Sequence, residues 1–314
     1  MNYLGKAKHE LRRVFKTEET RFILFTGLKV VAISMLVNMI VYSFLFQVMR
    51  LNHAFFKANG FSDIIEESVF YDYILSEVIE NLTLFFVFHI FLFFIGTYVG
   101  WLILRPFRTI GEYCESVLET PNTIYKVEEY STYKLLTRFS EFFFEYLRES
   151  RNKGVISTNS IPPQYAKIHH PVTDKIFMLH FGLLLVIIGI CTSLFMIENT
   201  SMIFHNMVDL ANKTLTNSKV SNRFFNNQMF VIDDTVTLSI LLIIIFYMAL
   251  GVHLYEKVSG AAFGIFSTMR SFMKGDHSSR VHLVGYAYIR GYTRKLNKYL
   301  DYVENYFDKN KPKG

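Results

Sequence analysis

Apolar residues gather into four blocks, residues 22–48, 82–104, 176–197 and 235–255, separated by polar stretches. The blocks are 27, 23, 22 and 21 residues long, and Lys29 is the single Lys, Arg, Asp or Glu inside them. A helix needs about 20 apolar residues to cross bilayer hydrocarbon, so each block predicts one membrane span. After the second and fourth blocks the pattern changes to spaced apolar positions. Pro106, Ile110, Tyr113 and Val117 recur in steps of 4, 3 and 4, and Leu135, Phe139, Phe142 and Tyr146 repeat the steps. Ala261, Ile265, Thr268 and Phe272 form a third series, and Tyr292, Leu296, Tyr299, Val303 and Tyr306 a fourth. That spacing is the seam of a helix in a coiled-coil-like bundle. Between the paired seams lie predicted extended connectors, one with Pro121, Ile124 and Val127, the other with Gly275-Asp276, Val281 and Leu283.

The chain reads as one plan written twice. Residue n set beside residue n + 155 aligns Phe22 with Phe177, Leu24 with Leu179, Gly27-Leu28 with Gly182-Leu183, and Val31 with Val186. The correspondence resumes at Gly96 with Gly251 and reaches Ile110 with Ile265. Two extra residues in the second connector lengthen the offset to 157 beyond it. Gly154, Ser157, Ser160, Pro162-Pro163 and Pro171 interrupt helical pattern between the halves. The organisation is therefore a leader (1–21), a first span pair with a short outer loop (22–104), a first helical module (105–150), a linker (151–175), a second span pair (176–255), a second module (256–308) and a tail (309–314). Halves that both begin and end on one side must be parallel, related by a pseudo-twofold axis along the membrane normal. Recurrent glycines at Gly27/Gly182 and Gly96/Gly251 predict close helix approach at equivalent depths.

Charge sets the orientation. Residues 1–21, 105–175 and 256–314 hold 27 Lys/Arg in 151 residues, against 5 in 70 for residues 49–81 and 198–234. The positive-inside rule places both termini and the central loop in the cytoplasm. A net charge of +6 then reflects topology and contact with anionic headgroups, and no nucleic-acid partner is implied. The first block is too long for a cleavable signal peptide and has no small-x-small site after it, so it stays as an anchor. The outer loops, 33 and 37 residues long, leave no room for a large sensor domain. Cys114 and Cys191 face different environments and form no disulfide framework.

The segment Val258-Ser259-Gly260-Ala261 through Lys274-Gly275-Asp276, Arg280-Val281-His282-Leu283 and Lys295-Leu296-Asn297-Lys298-Tyr299-Leu300 resembles a HAMP domain. This is the signal-relay module that follows a membrane span in bacterial histidine kinases and chemoreceptors. Residues 105–148 resemble it more faintly, through Arg105-Pro106 and Phe139-Ser140, without the connector glycine; the later copy has Ala261 where proline is usual. The resemblance implies parallel four-helix bundles built from paired modules, the sixteen seam residues from Pro106 to Val303 forming the relay. Intrachain pairing, a homodimer, and helices lying on the membrane surface are the open arrangements.

Chemistry is sparse. Lys8-His9-Glu10-Leu11-Arg12 superficially resembles a phosphoacceptor segment but lacks the following proline and a hairpin partner, so a basic leader on headgroups is the reading. Lys29 either snorkels to the near interface or finds a partner in the bundle. His89 and His180 read as hydrogen-bonded core or as a pH- or ligand-responsive pair, and without a carboxylate they make a poor metal site. His169-His170 reads as loop, and the acceptor patterns at Asn81, Asn199 and Asn212 are discounted in a bacterial-looking chain. No catalytic, cofactor or metal site is expected. The expected function is a non-enzymatic signal-relay or sensor subunit of the bacterial inner membrane. Its sequence ends a few turns after Tyr306, so a cytoplasmic partner supplies the output. The rival is a structural or docking subunit of a membrane machine. A transporter is disfavoured by the scarcity of paired polar residues in the spans.

Overall fold

The computed structural model describes residues 17–58, 71–72, 76, 79, 82–121, 123–125, 134–156, 158, 161–168, 175–214 and 218–309. These residues form an all-helical fold, with no strand among them. The principal elements are α1 (Glu18–Ala58), α2 (Leu82–Glu119), α3 (Lys134–Lys153), the short α4 (Pro163–Ala166), α5 (Lys175–Thr214), α6 (Ser218–Met273) and α7 (Arg290–Lys309). Four of them, α1, α2, α5 and α6, carry stretches long and apolar enough to cross a membrane, which marks a multi-pass membrane protein. Large apolar side chains such as Met39, Phe94, Leu179 and Met248 remain exposed on them, as bilayer contact requires.

The spans do not stop where their apolar blocks end. α2 runs from Leu82 through Pro106 to Glu119, and α6 runs on to Met273. Pro106 removes one donor from the ladder, and α2 nonetheless continues, with Thr109 Oγ1 donating to the Arg105 carbonyl at 3.1 Å. At the start of α1, Thr17 Oγ1 accepts from the Thr20 amide, and Glu18 and Glu19 occupy the first turn, where carboxylates complement the helix dipole. α3 and α7 are the amphipathic helices, each 20 residues long and ending in Lys.

The chain divides into two compact units. One comprises residues 1–26, 97–183 and 251–314; the other comprises residues 27–96 and 184–250. The second unit is assembled from apolar helix segments. Gly96 meets Gly27 there: a Cβ at Gly96 would lie 2.8 Å from Gly27 Cα and 3.0 Å from Val30 Cβ. The expected counterpart at Gly182 does not recur, since nothing lies within 4 Å of a Cβ built there. In the second half Gly189 faces Ile243 and Tyr247 at an ordinary 3.9 Å instead.

Candidate functional site

The first unit holds the amphipathic helices. The polar-side continuations of α2 and α6 join α3 and α7 around an aromatic core in which Phe107, Phe139, Phe143, Phe144, Phe266 and Phe272 are fully buried. α2 packs on α7: a Cβ at Gly111 would touch the Tyr292 ring, Glu115 pairs with Lys295 Nζ at 2.5 Å, and Tyr113 stands edge-on to Tyr299 at 6.4 Å. α6 packs on α3: Phe266 meets Phe139 at 4.5 Å, Ser140 Oγ contacts Met269 Sδ at 3.7 Å, and Phe272 meets Phe143 at 6.1 Å. Along each pair the contacts advance in the same direction, so the helices are parallel. Tyr113 with Phe144 at 4.4 Å and Phe144 with Tyr299 at 5.8 Å close the core across the pairs. The continuation of each span thus packs on the separate helix of the other half.

Most of the expected seam lies in this core. Pro106, Ile110, Tyr113, Val117, Phe139, Tyr146, Ala261, Ile265, Phe272, Tyr292, Leu296, Tyr299 and Val303 are buried. Thr268 is half-buried beside a fully buried Met269. On α3 the buried face is broader than the 4-3-4 reading: Leu136, Ser140, Phe143 and Leu147 are buried beside Phe139 and Tyr146, while Phe142 is half-buried on the flank. Leu135 lies in α3, but its side chain falls outside the described residues. Burial among Tyr113 and Cys114 pushes the Tyr299 phenol well above its ordinary range.

Each connector is pinned differently. In the first, Ile124 is 60% exposed, and Tyr125 enters the core instead, 4.9 Å from both Tyr113 and Phe144. Val127 lies outside the described residues. In the second, Gly275 takes φ +103°, a conformation open to glycine, and Asp276 accepts hydrogen bonds from Ser278 Oγ and Ser279 Oγ that hold its carboxyl below the usual range. Val281 is then clamped by Asn297, whose Oδ1 accepts from the Val281 amide at 2.8 Å and whose Nδ2 donates to its carbonyl at 3.1 Å. Arg280 spans Asp301 (2.6 Å) and Glu304; burial opposes its charge, but those carboxylates prevail and raise its pKa. The interhalf linker also docks, with Tyr165 at 5.0 Å from Phe139 and Arg270 donating to the Ile168 carbonyl.

A junction that sequence spacing did not announce ties the start of α1 to α7. Arg108 on α2 pairs with Glu19 and donates from Nε to the Tyr292 hydroxyl at 3.1 Å. Phe22 stacks on Tyr288 at 4.4 Å, and the Tyr288 hydroxyl donates to the Lys257 carbonyl at 3.0 Å. Arg108 was readable only as one more topological cation. Its partners are 89 and 184 residues away, and no local signal predicts such pairings.

In the other unit, His89 is buried and satisfied on both ring nitrogens: Nδ1 lies 2.8 Å from the Phe85 carbonyl and Nε2 lies 3.2 Å from Ser34 Oγ. Tyr247 donates to the Val30 carbonyl at 3.2 Å and lies 3.4 Å from Thr192 Oγ1. Near the far ends of the helices, Gln228 Nε2 donates to Asn52 Oδ1 at 2.5 Å, and Asn52 Nδ2 donates to Met207 Sδ at 3.2 Å. These are small, mostly satisfied polar links between helices of the kind that fix neighbours inside a bilayer. Lys29 and His180 lie on exposed helix faces, Cys114 is buried and Cys191 half-buried. Asn199 Nδ2 donates to the Phe195 carbonyl at 2.7 Å. His9, Asn81 and His169-His170 lie outside the described residues, as does the side chain of Asn212. No cluster of three or more His, Cys, Asp or Glu suited to a metal ion occurs among the described residues. No family model, curated protein or solved structure matches the chain.

Proposed function

We propose that the chain is a non-enzymatic membrane signal-relay subunit in which two HAMP-like modules of one polypeptide complete each other. The observation that carries the reading is the reciprocal packing: span-continuous α2 on α7, and span-continuous α6 on α3, each pair parallel. In such an arrangement a shift or rotation of a span enters the bundle directly through an unbroken helix. It is passed sideways to helices that reach the membrane only through connectors. The Asn297 clamp on Val281 supports the resemblance, since it gives the Leu-Asn pair and the Arg-Val connector a shared physical task. The duplication is supported by Asn52 and Met207, which correspond at an offset of 155 and touch each other; in a twofold-related pair, equivalent residues meet only at the axis. On this reading the bundle faces the cytoplasm of a bacterial inner membrane and hands its state to a cytoplasmic partner.

The test is whether the bundle responds to its spans. Cysteines replacing Glu115 and Lys295 report the α2–α7 contact through their rate of cross-linking by a short bis-maleimide. A bilayer thinner by several ångströms makes spans tilt, and a thicker one favours upright spans with local thinning, each at a cost of fractions of a kcal/mol per Å. A relay is expected to change the rate by about threefold or more between thin and thick bilayers. Equal rates in both would sink the relay and favour a static docking subunit.

A further inference from the structure

We propose that Arg290 and Arg294, with the cleft beside them, bind the phosphate of an anionic phospholipid headgroup. The site rests on the chain being a membrane protein and is independent of the relay. Its depth follows from the second connector, which climbs α6 towards the apolar block. Leu283 sits against Gly264, the Tyr286 hydroxyl against Gly260, and Tyr288 bonds the Lys257 carbonyl. Lys257 follows an apolar block that ends at Tyr255, and the ring stacked on Tyr288 is Phe22, the first residue of another such block. Tyr288 therefore marks the apolar boundary. The headgroup layer extends roughly 5–7 Å beyond it on each side, and a helix advances about 1.5 Å per residue. Arg290 falls inside that layer, and Arg294, one turn on, has a stem long enough to reach back to it.

Charge selects the ligand. A cleft of about 330 Å³ opens here, and Thr17, Glu18, Glu19, Tyr288, Arg290 and Arg294 are among its lining residues. Both carboxylates are already neutralised, Glu18 by Arg21 at 3.2 Å and Glu19 by Arg108. Arg290 and Arg294 are exposed, four residues apart on α7, and make no side-chain hydrogen bond or ion pair among the described residues. Two uncommitted guanidinium forks over a cleft at headgroup depth match a phosphodiester, which accepts paired N–H donors. An open wall fits a tethered headgroup, because the acyl chains must leave sideways into the bilayer.

The full chain, purified in detergent, is titrated with phosphatidylglycerol, with phosphatidylcholine of the same acyl chains, and with inorganic phosphate. Retained lipid is read by native mass spectrometry. Selective retention of phosphatidylglycerol is expected, weakened about fivefold for each arginine removed in Arg290→Gln, Arg294→Gln and the double variant. Equal retention of both lipids overturns the proposal, as does unchanged phosphatidylglycerol retention in the double variant. If the double variant does not fold, undiminished retention in both single variants overturns it equally. Competition by millimolar inorganic phosphate would assign the arginines to a soluble anion and so overturn the lipid site.

Discussion

Phe139→Ala is expected to lower the stability of the four-helix bundle by about 3–5 kcal/mol, the usual cost of emptying a fully buried aromatic site. Phe139 is fully buried, and two rings converge on it, Phe266 at 4.5 Å and Tyr165 at 5.0 Å, from α6 and from the interhalf linker. The cavity therefore lies where the two halves and their linker meet, and rigid neighbours limit collapse into it. Phe142→Ala, three residues away on the half-buried flank, removes a ring of the same size and should cost clearly less. Hydrogen exchange of α3 and α6 amides in detergent would measure both variants. Equal losses would mean that the register of α3 is not the one described.

The second large effect is expected in the spans. Gly96→Leu must force α1 and α2 apart, because even its Cβ would stand 2.8 Å from the Gly27 backbone. Overpacking of this kind costs about 1–3 kcal/mol, and separation also strains the Ser34–His89 bond two turns further on. Gly182→Leu, at the position equivalent to Gly27 in the other half, adds a Cβ that would meet nothing within 4 Å and should stay within about 0.5 kcal/mol of the parent. The fraction of each variant surviving size-exclusion chromatography after heating separates them. A neutral Gly96→Leu would show that the helices do not approach closely there, and an equally damaging Gly182→Leu would show that the close approach is not confined to the first half.

The contrast between those glycines shows what the sequence made legible. Runs of 21 to 27 apolar residues can satisfy one requirement only, a helix that buries its own backbone in lipid, so the four spans were readable directly. The stripe of α7 was readable because Tyr292, Leu296 and Tyr299 are separated by the polar residues Thr293, Arg294, Lys295, Asn297 and Lys298. On α3 the run Phe142-Phe143-Phe144 offers several helical stripes at once, and packing against Phe272 and Tyr299 decides among them. Composition favoured Ile124 over Tyr125, yet the connector turns the larger ring inward between Tyr113 and Phe144. Equivalent sequence positions also need not have equivalent neighbours: Gly27 lies against Gly96, whereas a Cβ at Gly182 would meet nothing within 4 Å. The Glu19–Arg108–Tyr292 junction and the Asn52–Gln228 pair depend on residues far apart in sequence, and periodicity carries no information about such partners.

The central claim is that two modules of one chain build one bundle. Cysteines replacing Glu115 and Lys295, whose side chains meet at 2.5 Å across α2 and α7, test it most directly in a chain whose Cys114 and Cys191 are replaced by alanine. Treated with a short bis-maleimide in native membranes, the double variant is predicted to cross-link within the monomer. The product should run at monomer mass with altered mobility, and it should require both cysteines. Covalent dimers formed as readily by each single-cysteine variant, with no intrachain product, would contradict the account and place the pairing between chains.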